Sequence, residues 1–454
     1  MSFNTSIGST GVTSAGTLSQ LIAIGAADSH LTSTPMVTFW RLRTQKCTNF
    51  AMESIMQNFS GSAQWGSEVQ LTLNRTGDLL TYMYVRLDIP GLEAKSDASV
   101  HVSGFPDLKQ CNPCNDTSGM LDGEEDDEAC GEVSGDYCHW VDSIGFAALE
   151  RVAFSIGGQT IDATYSHYLH MWEELTGKPG KRLYEMIGKR FKRESLIKDS
   201  SSSRTLYVPL NFYFNQHSGL ALPLVSLQFH SLQVHVRFSP LNKLIQRSSD
   251  RVQVINKETQ SPITDSSLKA YLDTTYVYLD TEERDRFAVG NFSQLITQVQ
   301  VHTGTICGST HRANLNFNHP TLELIWAIQR DCHAKANNTF NYSGVDDKDP
   351  FTQATLKING LPRFDREASY FRLVQPYQHH TNIPLSKIYN YSFALHPEDC
   401  QPSGSLNLSR IDNCELTVIT HPSLCHETLS LMVVARNWNV VRYKEGLGGL
   451  LYSN

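Results

Sequence analysis

Short runs in which apolar and polar residues alternate recur along the chain. Val69-Gln70-Leu71-Thr72-Leu73, Leu232-Gln233-Val234-His235-Val236-Arg237-Phe238 and Val299-Gln300-Val301-His302 each have a period of two. That period predicts strands with one buried face. Many such runs, bounded by Gly, Pro, Asn and Asp, predict an all-β chain of packed sandwiches. One stretch follows the helical period instead. From Thr164 to Thr176, Tyr165, Tyr168, Leu169, Trp172 and Leu175 fall on one side at spacings of three and four, and Gly177 and Pro179 follow as a stop signal. This predicts a helix lying across a sandwich edge.

The elements recur in the same order in the two halves. An apolar strand, Leu79 to Ile89, precedes a strand-turn-strand unit around Gly157-Gly158 and then a strand-rich run from Leu206 to Phe238. In the second half, Leu322 to Ile328 precedes a unit around Asn359-Gly360 and a run from Ile388 to Val418. Gly-Gly and Asn-Gly both accept positive φ and close hairpins. The economical division is a first β domain over 26–240 and a second over 241–454. Residues 1–25 are small and polar, and with the short apolar run Leu18 to Ala26 they predict an arm that orders by docking. Tyr391 to Asn413 reads as two strands joined by a Pro/Gly/Ser turn.

At 454 residues the chain can bury large cores, and its net charge of −8 offers no general attraction to nucleic acid or anionic lipid. No uncharged apolar run reaches the roughly 20 residues that span a bilayer. The N-terminus has no basic-then-apolar leader pattern, so the expectation is synthesis and use in a cytosol. Most of the ten cysteines, including Cys47, Cys307, Cys332, Cys400, Cys414 and Cys425, are scattered and read as reduced thiols. Asn-x-Ser/Thr sequons at Asn4, Asn58, Asn74, Asn115, Asn291, Asn337, Asn341, Asn390 and Asn407 are candidate glycosylation sites, although several fall in strand-like segments.

The first half carries an insertion, Pro106 to Trp140, with Cys111, Cys114, Cys130 and Cys138 and an acidic run from Asp122 to Glu128. Such charge density predicts an exposed loop. Its cysteines are candidates for a zinc site, for disulfides or for free thiols, and zinc is the one candidate cofactor. His167, His170 and Glu174 share a helical face but read as satisfied side chains rather than metal ligands. His379-His380 reads as an interface or turn element. Lys178, Lys181, Arg182, Lys189, Arg190, Lys192 and Arg193 form one basic cluster, read as a solvated loop in preference to a contact with an acidic neighbour, an anionic membrane or the genome. No Gly-x-Ser-x-Gly, P-loop or paired-carboxylate signature supports a hydrolase or NTPase, which predicts a protein without catalytic residues.

A series of short blocks runs along the chain. They begin with Thr48-Asn49-Phe50-Ala51, Gly61 to Ser67 and Asn74 to Leu80, and continue with Ile156-Gly157-Gly158-Gln159, Trp172-Glu173-Glu174-Leu175-Thr176 and Tyr278 to Arg284. The second half adds Gln375-Pro376-Tyr377-Gln378-His379-His380, Pro397-Glu398, Ser409-Arg410-Ile411-Asp412-Asn413, Ala435 to Val440 and Gly446 to Asn454. In this order the blocks resemble the major capsid proteins of nucleocytoplasmic large DNA viruses, and the Gln375–His380 and Ser409–Asn413 blocks resemble the phycodnavirus and marseillevirus branches, with iridoviruses in the same group. The resemblance implies a double jelly roll of two tandem eight-stranded antiparallel sandwiches with short helices in loops. It also implies homotrimeric, pseudo-hexagonal capsomers tiling an icosahedral shell. Expected partners are other copies of the chain, minor capsid and penton proteins, and an inner virion membrane reached through associated proteins, with no specific nucleic acid. The expected location is the virion capsid, assembled in host cytoplasm. The alternative is a carbohydrate-binding or glycan-processing β-sandwich protein, against which the missing leader and catalytic carboxylate pair weigh. The acidic cysteine-bearing insertion departs from the family pattern.

Overall fold

The computed structural model describes residues 23–36, 39–40, 46–96, 136–248 and 252–452, and the chain divides into two units, 1–49 and 50–454. In the first unit, α1 (Ala26–Thr32) starts where the Asp28 carboxylate accepts the Gly25 N–H at 3.0 Å. Most of the expected arm lies outside the described residues. Residues 26–49 belong to this first unit and not to the first β domain, as the division at residue 26 had placed them.

The second unit holds two sandwiches. The strands of the first are β1 (Phe50–Asn58), β2 (Glu68–Thr72), β3 (Leu79–Ile89), β4 (Leu149–Ile156), β5 (Gln159–Tyr165), β6 (Arg204–Pro209), β7 (Leu232–Phe238) and β8 (Lys269–Leu279). They form antiparallel sheets ordered β1-β8-β3-β6 and β2-β7-β4-β5. The strands of the second are β9 (Phe292–Cys307), β10 (Thr310–Asn314), β11 (Pro320–Arg330), β12 (Phe351–Ile358), β13 (Leu361–Glu367), β14 (Tyr389–Ser392), β15 (Cys414–Thr420) and β16 (Thr428–Lys444). Their sheets run β9-β16-β11-β14 and β10-β15-β12-β13, the first pair of orders over again. The repeat is therefore one of topology, which explains why it is visible in element order and not in residue identity.

The alternating runs form strands with the expected faces: Val69 and Leu71 of β2 and Leu232, Val234, Val236 and Phe238 of β7 are buried. Gly157-Gly158 (φ 58° and 84°) and Asn359-Gly360 (φ 48° and 79°) close the β4-β5 and β12-β13 hairpins. The first sandwich reaches past the expected boundary at residue 240, because β8 hydrogen-bonds between β1 and β3 and ends only at Leu279. The helix Thr281–Val289, capped by the Asp280 carboxylate, then leads into β9. Asp78 ties this link to the first sandwich by accepting the Leu279 N–H at 2.8 Å and pairing with Arg284 at 2.9 Å.

Two expectations about irregular segments change. Tyr391 to Asn413 is not a hairpin: Tyr389–Ser392 and Leu406–Asn407 pair in succession with the same strand, β11, and 393–405 loops out between them. The excursion closes on itself, with Leu395 N–H donating to the Ser403 carbonyl and His396 N–H to the Ser403 hydroxyl. The second change concerns the insertion, whose last residues are not exposed. Cys138–Trp140 forms a buried strand against Ile245–Arg247, with Trp140 beside Trp65 at 5.7 Å. On the other side, Leu92–Ser96 pairs with Val252–Asn256.

Candidate functional site at the junction of the sandwiches

The two sandwiches share apolar packing. In the β9-β16-β11-β14 sheet, Leu324, Trp326, Ile328, Leu431, Val433 and Ala435 face the second sandwich's own core. Their neighbours Ile325, Ala327 and Val434, with half-buried Val299, Val301 and Met432, point the other way and join the core of the first sandwich. This sheet is therefore apolar on both faces, as strands buried on both sides must be. The predicted helix is α2 (Ser166–Thr176), and it is wedged between the sandwiches instead of lying on a free edge. Its Trp172 ring lies 4.1 Å from the Arg436 guanidinium, and the Asn382 N–H donates to the Leu175 carbonyl at 2.9 Å.

A buried ionic centre sits at this contact. Glu323 of β11 and Arg436 of β16 are register partners, 0 % and 1 % exposed, with 3.6 Å between charged atoms. His380 approaches Glu323 with Nε2 at 2.8 Å and Glu398 with Nδ1 at 3.0 Å. Arg436 donates to the Pro397 carbonyl and, at 3.2 Å, to Gln216 of the first sandwich. Burial opposes a charge on His380, yet Glu323 and then Glu398 outweigh it and push its pKa up to about 9. Burial likewise works against the Glu398 charge, but His380 and Thr381 hold its carboxyl below the usual carboxylate range. The excursion at 393–405 thus delivers Pro397 and Glu398 to the centre. Gln375, which accepts the Ser392 N–H at 3.1 Å, fixes the start of the segment that carries His380.

A second buried pair joins Lys189 to Glu174, whose other carboxylate oxygen accepts the Leu385 N–H at 3.1 Å. Burial disfavours both charges, and their mutual attraction reverses this, lowering the Glu174 pKa and raising that of Lys189. The helical face of His167, His170 and Glu174 is accordingly a contact face. His170 stacks on Phe340 at 4.4 Å and His167 meets the Tyr342 hydroxyl at 3.0 Å, and burial depresses their pKa values to about 3 and about 4. Among the described residues no group of His, Cys, Asp and Glu could hold a metal ion. What these side chains can do chemically is hold two sandwiches in one relative orientation.

Comparison with known proteins agrees with this reading. The model of the major capsid protein N-terminus matches residues 38–280, and that of the large eukaryotic DNA virus major capsid protein matches residues 283–449. This chain belongs to the major capsid protein family of large eukaryotic DNA viruses. The major capsid protein of Pyramimonas orientalis virus is 33% identical over 97% of this chain and 100% of its own length. That of Paramecium bursaria Chlorella virus 1 is 31% identical with the same coverage. A quasi-atomic model of the PBCV-1 virus capsid superposes with a TM-score of 0.69 at 27% identity, covering 92% of this chain and 100% of that one. The Faustovirus major capsid protein, at 12% identity and a TM-score of 0.66 over 93% and 95% of the two chains, shares the fold. The fold is the double jelly roll, and the family is structural rather than enzymatic.

The family blocks converge on the junction. Trp172, Gln375, His380, Glu398 and Arg436, spread over the chain, meet there, and the block around Asp78 meets the block ending at Arg284. Sequence reading missed Glu323, Gln216 and the buried role of Lys189. The available signal was a lone acid in Leu322-Glu323-Leu324-Ile325-Trp326 and a lone cation in Val433-Val434-Ala435-Arg436, charges that a strand buried on both faces must pair. The basic cluster is not uniformly solvated: Lys189 is buried, and Arg190 pairs with Asp199 and Glu185.

The remaining candidates fall apart from this centre. Cys111, Cys114 and Cys130 lie outside the described residues. Cys138 is buried in its strand, where desolvation pushes its thiol up to about 12. Among the sequons, Asn4 and Asn115 are outside the described residues, and Asn58, Asn74, Asn291 and Asn407 are exposed. Asn341 is half-buried, and its side chain accepts the Ser343 N–H. Asn390 is 0 % exposed, and buried Asn337 donates to the Asn242 and Ile245 carbonyls. Neither of these two can carry a glycan in the folded chain.

Proposed function

We propose that three copies of this chain associate into a pseudo-hexagonal capsomer and that capsomers tile the icosahedral shell. The observation that carries this reading is the repeated strand order: each chain supplies two sandwiches of one topology, so three chains supply six similar blocks. The ionic junction supports it by fixing the angle between the two blocks of one chain, which a closed ring requires. The interface between copies should exceed about 2,000 Å², as in obligate assemblies. Minor capsid and penton proteins, and an inner membrane reached through associated proteins, are the further partners of such a shell, which would form in host cytoplasm. Residues 1–25 would face the shell interior, and the acidic insertion its outside, where like charges stay solvated. Size-exclusion chromatography with light scattering tests the central claim. Particles of three chains are expected, and a chain that stays monomeric across micromolar concentrations overturns it.

A further inference from the structure

The contact between the two sandwiches of one chain is heterologous. The first sandwich gives the helix that follows its fifth strand, α2 after β5, and the second gives the outer face of its β9-β16-β11-β14 sheet, where Trp172 covers Arg436. Each chain therefore leaves one unmatched copy of each half. The first is the outer face of β1-β8-β3-β6. Register places Asn58, Tyr271, Arg86 and Tyr207 in one row across it and Met56, Asp273, Tyr84 and Pro209 in the next. Met52, Met56, Tyr82 and Tyr207 are exposed there, and the Arg86 guanidinium sits 5.5 Å from the Tyr271 ring, 6.0 Å from the Tyr207 ring and 3.6 Å from the Met56 sulfur. A solvated sheet face is ordinarily polar. Tyr, Met and Arg are instead the residues enriched at protein interfaces.

The second unmatched half is the helical segment after β13, comprising a π-helical turn at Tyr370–Val374 and α3 (Gln375–His379). The corresponding residues of α2 are largely buried, whereas this segment leaves Leu373, Val374 and Tyr377 exposed, Tyr377 by 77 %. Leu373 and Val374 also line a recess of about 590 Å³ with Gln353, Asp365, Arg366 and Tyr370. An apolar helical ridge beside a concavity complements a sheet face that carries projecting Met, Arg and Tyr side chains.

We propose that the Leu373–Tyr377 ridge of one copy docks on the Met56–Arg86–Tyr207–Tyr271 face of the next, repeating between chains the contact that joins the sandwiches within a chain. This rests on the trimer proposed above and names its interface. Each chain then offers one donor and one acceptor, and such a heterologous contact forms a ring when the rotation between successive copies closes.

The test is site-specific photocrosslinking in the full chain, with Tyr377 replaced by benzoylphenylalanine, together with Leu373→Asp and Tyr207→Asp. All three positions are exposed in the single chain, so the variants should keep the wild-type thermal transition as monomers. Expected are inter-chain crosslinks to peptides containing residues 82–88, 204–209 or 269–275. Each Asp variant should raise the concentration needed for trimers by about tenfold or more. Trimers that crosslink elsewhere, or that tolerate both substitutions, overturn this docking and leave the trimer standing. A wild-type chain that never trimerises overturns both.

Discussion

His380→Gln isolates the charge at the junction of the sandwiches. The folded pKa is about 9, against about 6.5 for an unperturbed histidine. At about 1.4 kcal/mol for each tenfold change in proton affinity, the charged imidazole stabilises the fold by roughly 3 kcal/mol. The folded value lies above the unfolded one, so this contribution is complete below about pH 6.5 and is lost as pH rises through about 9. Glu323 and Glu398 face the imidazole directly, and Arg436 pairs with Glu323 behind it. Asp162, a buried carboxyl in the field of Arg436 that desolvation pushes up to about 7, titrates inside that window in both proteins. Glutamine preserves a polar group but cannot take the proton. The expected result is a variant less stable than wild type by roughly 3 kcal/mol near pH 6.5, with the gap closing toward about pH 9.5. Urea midpoints of the two proteins across this range measure it, and their difference removes every titration they share. A gap that stays constant with pH would refute the ionic account of the junction.

Two other outcomes follow from local geometry. Gly157 has φ 58° and a Cβ there would lie 2.8 Å from the His230 ring, whereas Gly158 has φ 84° and open space around it. Gly157→Ala should therefore cost more than Gly158→Ala, which should lose only about 1 kcal/mol of backbone strain, and equal losses in denaturant would contradict the packing. In native protein, buried Cys138 should resist alkylation while exposed Cys47 and Cys307 react, as read by mass spectrometry. The same digest of unreduced protein, with a zinc assay, addresses the rest of the insertion: crosslinking of Cys111, Cys114 and Cys130 through zinc or disulfides is expected, and free alkylation of all three with no metal would refute it.

Alternation, turn dipeptides and helical spacing act over a few residues, so these features were readable without the fold. The strands around Val69 and Leu232, the Gly157-Gly158 and Asn359-Gly360 hairpins and the helix ending before Gly177 all formed where the pattern placed them. The order of elements showed two β domains because topology survives when residue identity does not. The break at 393–405 was hidden, since whether Tyr389–Ser392 and Leu406–Asn407 pair with each other or in succession along β11 depends on a strand some 70 residues away. The end of the first sandwich was hidden for the same reason, β8 being claimed by β1 and β3. Glu323, Arg436, Lys189 and His380 show most clearly what tertiary structure alone decides. A charge in an apolar run announces that it needs a partner, because burying it unpaired is prohibitive. Which partner it meets is set by how two sandwiches pack, and that is a property of no single stretch of chain.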